Sequence, residues 1–344
     1  MSRKSAIFVT PGRGSYARGS LGYLAKYHDD KKEMLSGFDM TRTSRGQDTI
    51  CDLDMLTSFS PSKHSRGDNA SALIFASSLA DFLSIDRQNF EIVAVTGNSM
   101  GWYTALSCAG ALTHRQGFEM ANTMGVLMQD AMIGGQIVYP IVDENWVEIS
   151  GRREQMFHLV DEIDGLYVSI RLGGMLVFAG EDDALRRLES KLEPVDGRYP
   201  MRLANHAAFH TPLLAPVSKD GMKQLESIRF SSPELPMIDG RGHIWLAKSY
   251  GGEKLRDYTL AHQVTELYDF STSIRNAMRE FAPDAIIASG PGNVLGSAIA
   301  QILIEMNWRG MSSKQDFLDL QSRDPLILSM GLEAQRNYVT GLQE

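Results

Sequence analysis

The sequence predicts an α/β protein with a mainly parallel sheet and a smaller α+β unit inserted into it. Three observations lead there. Strand-like and helix-like segments alternate along most of the 344 residues. An apolar strand breaks at Gly97-Asn98-Ser99-Met100-Gly101 into an Ala/Leu-rich helix. From about 136 to 203 the rhythm shortens to β-α-β-β-α-β, the order of a ferredoxin-like unit. The chain is also longer than one ordinary compact domain. The expected division is a large α/β-hydrolase-like unit over 1–133 and 204–344, with the ferredoxin-like unit over 134–203.

Taken in order, residues 6–9 read as the first strand and Pro11-Gly12-Arg13-Gly14-Ser15 as its turn. Residues 69–83 carry helical spacing, the elbow strand follows, and 115–132 form a long Met-rich helix whose sulfurs suit core packing. In the insert, strands are expected at 136–142, 166–171, 175–179 and 198–203, and helices at 152–163 and 182–192. The larger unit resumes with helices at 213–228 and 271–281, a strand at 285–288 and the turn Gly290-Pro291-Gly292. The segment after Trp308 reads as an amphipathic helix and a tail.

Composition narrows the function. The net charge of −8, from 42 acidic and 34 basic residues, argues against a nucleic-acid surface. Two cysteines, Cys51 and Cys108, exclude a disulfide framework. The apolar run at 6–9 stops at Pro11, too early for a signal peptide, and no stretch approaches a membrane span. A cytoplasmic protein with no membrane partner is expected.

The layout at 91–106 puts one serine, Ser99, on a sharp strand-to-helix turn, where its hydroxyl is exposed and the next backbone N–H can face a developing oxyanion. An ordinary β-α turn also uses two glycines and a serine, so the chain must supply a base. His210, just before the helix-opening Thr211-Pro212, is the candidate. His206 and His210 stand four apart, but no third ligand accompanies them, and no metal is expected.

Together these pieces resemble the malonyl-CoA:acyl carrier protein transacylase family and the acyltransferase domains of polyketide synthases. Four co-linear motifs carry the resemblance. Residues 8–15 resemble F-x-F-P-G-Q-G-S, 97–101 resemble G-H-S-L-G, 206–214 resemble H-A-F-H-S-P-L-M, and 290–295 resemble G-P-G-K-V-L. The resemblance implies a ping-pong acyl transfer with Ser99 as nucleophile and His210 as base. It implies that a main-chain carbonyl, here at Gln263, orients the histidine, and that the backbone N–H groups of Arg13 and Met100 meet the oxyanion. It also implies a coenzyme A thioester as substrate, an acyl carrier protein as partner and no bound cofactor. Arg186, Arg187 and Lys191 are candidate docking residues for the acidic carrier.

Departures from the pattern bear on the acyl group. Met124 stands where malonyl-selective members carry an arginine for the free carboxylate, and a carboxylate against methionine costs several kcal/mol. The site therefore departs from a standard malonyl site, unless Arg13 or Arg171 brings a cation from another wall; either also reads as a surface residue or a coenzyme A phosphate contact. Asn98 replaces the family's histidine and, with Phe209, is expected to shape the pocket. Tyr16 and Trp102 are expected to make the entrance more apolar. Three functions are compatible with these residues: an acyltransferase, an editing hydrolase that clears acyl groups from carrier proteins, and a non-catalytic docking component of a synthase.

Overall fold

Eleven strands form two sheets in the computed structural model, which describes residues 3–248 and 251–342. The first strand, β1 (Lys4–Thr10), and the elbow strand, β2 (Phe90–Gly97), are parallel neighbours. Between them, α1 (Gly67–Leu83) is buried on nearly every face, as a helix with apolar and small residues all round must be. After the elbow come α2 (Gly101–Cys108) and α3 (His114–Ala131). A reciprocal capping box starts α3: Thr113 accepts from the Gln116 N–H while the Gln116 side chain accepts from the Thr113 N–H.

The smaller sheet contains β3 (Gly135–Pro140), β4 (Leu166–Leu172), β5 (Met175–Gly180) and β6 (Met201–Arg202). Helices α4 (Arg152–Glu162) and α5 (Asp182–Lys191) complete the β-α-β-β-α-β order. The four strands pair antiparallel in the order β6-β3-β5-β4. They cover an apolar cluster of their own that includes Ile137, Leu159, Phe178 and Leu188. The expected strand over 198–203 shortens to β6, because 195–199 closes its own Val195–Tyr199 bridge first.

The chain then returns to the large unit. Where one helix was expected at 213–228, Pro212–Leu214 is a 3-10 turn and α6 spans Ala215–Gln224. Then follow β7 (Met237–Ile238), β8 (Ile244–Trp245) and β9 (Tyr268–Asp269), α7 (Phe270–Phe281), β10 (Ala285–Ala288) and α8 (Gly296–Glu305). The large sheet runs β11-β10-β1-β2-β7-β8, parallel except for its β7–β8 edge. Its last member, β11 (Ile327–Ser329), corrects the reading of the segment after Trp308. That segment forms α9 (Lys314–Arg323), a buried edge strand and α10 (Glu333–Thr340). Three residues carry too little alternation to register as a strand in sequence.

Two further features lie outside the sequence reading. Residues between Gly22 and His64 form four short helices, Tyr23–Tyr27, Lys32–Thr43, Ile50–Asp54 and Pro61–His64. The two-residue β9 joins the smaller sheet as a parallel partner of β4, although it lies far outside the insert in sequence. It thereby stitches the sheet to the segment that carries Gln263.

Candidate active site

β2 ends at Gly97 and the chain turns at Ser99, a non-glycine residue in the left-handed region (φ 54°). Such a conformation costs about 1–3 kcal/mol and persists only where the surroundings dictate it. Here the turn is wedged against the end of β1. A side chain at Gly97 would collide with the Gly101 backbone and Thr10 Oγ1, and Thr10 Oγ1 itself donates to the Gly101 carbonyl at 2.7 Å. The Pro11–Gly14 turn lies equally close, since a Cβ at Gly12 would stand 2.8 Å from the Asn98 carbonyl. Thr10 and Gly97 are register partners, so the two turns emerge side by side. Among the described residues, neither the Arg13 nor the Met100 backbone N–H has a backbone acceptor.

The opposite wall is the loop from 205 to 211. It is tied to the smaller sheet by Ser169 Oγ, which donates to the Phe209 carbonyl at 2.7 Å, and to its own turn by Thr211 Oγ1, which donates to Ala208 at 2.7 Å. These contacts hold His210 at φ 57°, a second left-handed residue. Its Nε2 stands 2.7 Å from Ser99 Oγ and its Nδ1 2.6 Å from the Gln263 carbonyl. A carbonyl can only accept, so Nδ1 carries the proton and Nε2 is left to accept from the serine hydroxyl.

Gln263 follows a π-helical turn, Tyr258–His262, a departure from α geometry often found at functional sites. Its side chain is held at both ends. Nε2 donates to the Ser99 carbonyl at 3.1 Å, and Oε1 accepts from Tyr103 at 3.2 Å. Tyr268 of β9 donates to the Gly97 carbonyl, and its ring packs 5.2 Å from the imidazole. Tyr103 and Tyr268 are therefore site residues to which sequence reasoning gave no role.

Burial lowers the His210 pKa to about 4, although the Gln263 carbonyl pulls the other way. The sign follows directly. The imidazole is neutral, and able to accept a proton, above that value. Ser99 acylation is expected to hold its rate from neutral pH downward and to fall with a midpoint near pH 4, rather than near the 6.5 of free imidazole. A rapid-quench pH–rate profile checks this.

Ser99 and His210 open onto a narrow pocket walled by Met100, Tyr103, Met124 and Phe209. Arg13 lines the same pocket and lies over the Phe209 ring at 5.2 Å. Several expected pocket residues lie elsewhere. Arg171 is not in the pocket wall; β4–β9 pairing sets it beside Asp269, which it contacts at 3.1 Å, and its guanidinium covers Phe157. Asn98 sits behind the elbow, with its amide toward Gly12. Trp102 is fully buried, donates to Thr259 Oγ1 at 2.9 Å and packs edge-on against Tyr258, so it does not line an entrance. Tyr16 is likewise buried, with its hydroxyl 2.6 Å from Asp54.

His206 bonds Gln136 at 2.8 Å, and among the described residues no cluster of His, Cys, Asp or Glu could hold a metal ion. On α5, Arg186 and Lys191 pair with Asp183 and Glu162, which offsets much of that face's positive charge. Among the described residues no helix is long and apolar enough to cross a membrane.

No family model matches the chain. It is 23% identical over 302 residues to the malonyl CoA-acyl carrier protein transacylase of Escherichia coli strain K12, covering 86% of the chain and 92% of the relative. To the protein of the same name from Buchnera aphidicola it is 27% identical over 168 residues, 48% of the chain, and the match spans about half (53%) of that relative. In fold it is similar to the malonyl-CoA:ACP transacylase of Synechocystis, with a TM-score of 0.76 at 16% identity, covering 97% of this chain and 99% of the other.

Proposed function

We propose that this chain, a distant member of the malonyl-CoA:acyl carrier protein transacylase family in sequence and fold, transfers an acyl group from coenzyme A to the phosphopantetheine thiol of an acyl carrier protein through acyl-Ser99. The observation that carries this reading is the Ser99–His210–Gln263 relay, with its 2.7 Å and 2.6 Å contacts. His210 Nε2 takes the hydroxyl proton as Ser99 Oγ attacks the thioester carbonyl carbon. The oxyanion faces the free N–H groups of Arg13 and Met100, which act through the backbone and so tolerate any side chain. As the tetrahedral adduct collapses, the carbon–sulfur bond breaks and the proton on Nε2 passes to the departing thiolate. The carrier thiol then repeats the steps in reverse on acyl-Ser99.

In this reading residues 1–133 and 204–344 form the catalytic unit. Residues 134–203 form a smaller unit that braces the histidine loop through Ser169. No cofactor takes part; the coenzyme A thioester is substrate.

The test is a pulse-chase. Wild-type protein incubated with acyl-CoA is expected to gain one acyl mass on Ser99, and Ser99→Ala none. Chasing with a carrier protein should move the label onto its thiol much faster than water removes it. Faster release to water would make the protein an editing hydrolase, and no label from any donor would favour the docking role.

A further inference from the structure

We propose that Arg13 is the specificity-determining residue of the pocket, holding an anionic end of the acyl group through its free Nε and Nη1 donors. The inference rests on the acyl-Ser99 reading and names the acyl class: one that ends in a carboxylate. Arg13 is the only acidic or basic side chain, apart from the neutral imidazole, in the pocket wall among the described residues. Nη2 spends both of its hydrogens on main-chain oxygens, Ser65 at 2.9 Å and Asn205 at 2.7 Å. Those two carbonyls fix the plane of the guanidinium over Phe209. Nε and Nη1 are buried and meet no acceptor, which leaves three N–H bonds unanswered.

An uncompensated buried cation is costly, and proteins rarely keep one without a partner. Asp68 attracts Arg13 from a distance, but its carboxylate is engaged by Arg66 at 3.1 Å. Burial lowers the Arg13 pKa only to about 10, so the group stays charged at neutral pH. The missing partner therefore arrives with the substrate. It is not a coenzyme A phosphate, because the pocket begins at the nucleophile and receives the acyl side of the thioester, whereas the phosphates lie at the far end of the pantetheine arm. Met124 in the same wall supplies no charge, so selection for a carboxylate falls to Arg13.

The experiment compares Ser99 acylation by malonyl-CoA and by its neutral counterpart butyryl-CoA, using rapid quench and intact-protein mass, in wild type, Arg13→Met, Arg13→Lys and Arg13→Met/Met124→Arg. The readout is the malonyl-to-butyryl rate ratio, so a general loss from disturbing the Ser65 and Asn205 contacts cancels. Wild type should prefer malonyl, and Arg13→Met should lower the ratio by roughly 10- to 100-fold, the value of one or two charge-assisted hydrogen bonds. Arg13→Lys should retain part of the preference, and the double variant should recover part of it by moving the cation across the pocket. An unchanged ratio in Arg13→Met, or faster loading of butyryl by wild type, overturns the proposal and leaves the acyl-serine reading intact. Loading by neither donor in wild type overturns both.

Discussion

Replacing His210 with alanine is expected to slow Ser99 acylation by roughly 10⁴- to 10⁶-fold, the scale seen when the base of a serine–histidine pair is removed. Both ring nitrogens are committed, one to the nucleophile and one to a main-chain carbonyl, so no neighbouring group is placed to take over. Because the serine and the imidazole act as one unit, Ser99→Ala/His210→Ala should be no slower than either single variant. Gln263→Ala offers the contrast. It removes the side-chain bonds to Ser99 and Tyr103 but keeps the carbonyl that orients His210, so its effect should be far smaller. Single-turnover acylation of His210→Ala and Gln263→Ala measures the first and the last of these, and thiol release from acyl-CoA by the two variants without the serine measures the second. A His210→Ala rate within tenfold of wild type would remove the imidazole from the chemistry.

The parts of the site that were legible in sequence are those fixed by local chain geometry. Gly97 and the strand before it specify a sharp turn, and the turn specifies an exposed serine whatever surrounds it. The Thr211-Pro212 helix start marks the end of the histidine loop in the same way. Which way a side chain faces was not legible. Trp102 and Tyr103 are adjacent on α2, yet about 100° of helical rotation separates them. Tyr103 lines the pocket, while Trp102 packs behind it on Tyr258. Arg13 shows the same limit. Its backbone position followed from the motif, but its buried guanidinium depends on carbonyls 52 and 192 residues away. Arg171 was misassigned because its partner, Asp269, belongs to a two-residue strand that no periodicity reveals.

The second large effect lies away from the pocket. Asp81→Ala is expected to destabilise the fold by about 3–5 kcal/mol, the usual cost of removing one partner from a buried ion pair. Asp81 is fully buried on α1, and its two carboxylate oxygens hold four groups: Arg336 at 2.7 Å, His28 at 3.0 Å, Tyr23 at 2.9 Å and the Gly290 N–H at 2.7 Å. Burial alone would raise its pKa, but the His28 and Arg336 contacts hold it below the ordinary carboxylate value. Its contribution is thus complete at neutral pH and is lost only as the pH falls below that range. Deleting it strands the Arg336 cation in the interior and removes one of the contacts that hold α10 to the body of the protein. It also leaves the Gly290 N–H without its acceptor, in a turn that packs through Gly292 against the Ser15 carbonyl, two residues from Arg13. On the proposed reading the Gly290-Pro291-Gly292 turn serves the site without lining its pocket: it buttresses the turn that carries the Arg13 N–H. Denaturant titrations of Asp81→Leu, Arg336→Met and Asp81→Leu/Arg336→Met, beside Asp81→Ala, separate the contributions. The double variant should lose less than the sum of the singles, because neither charge is then left unpaired. Strict additivity would mean that the two groups stabilise the fold independently, and that the network does not tie α10 to the turn.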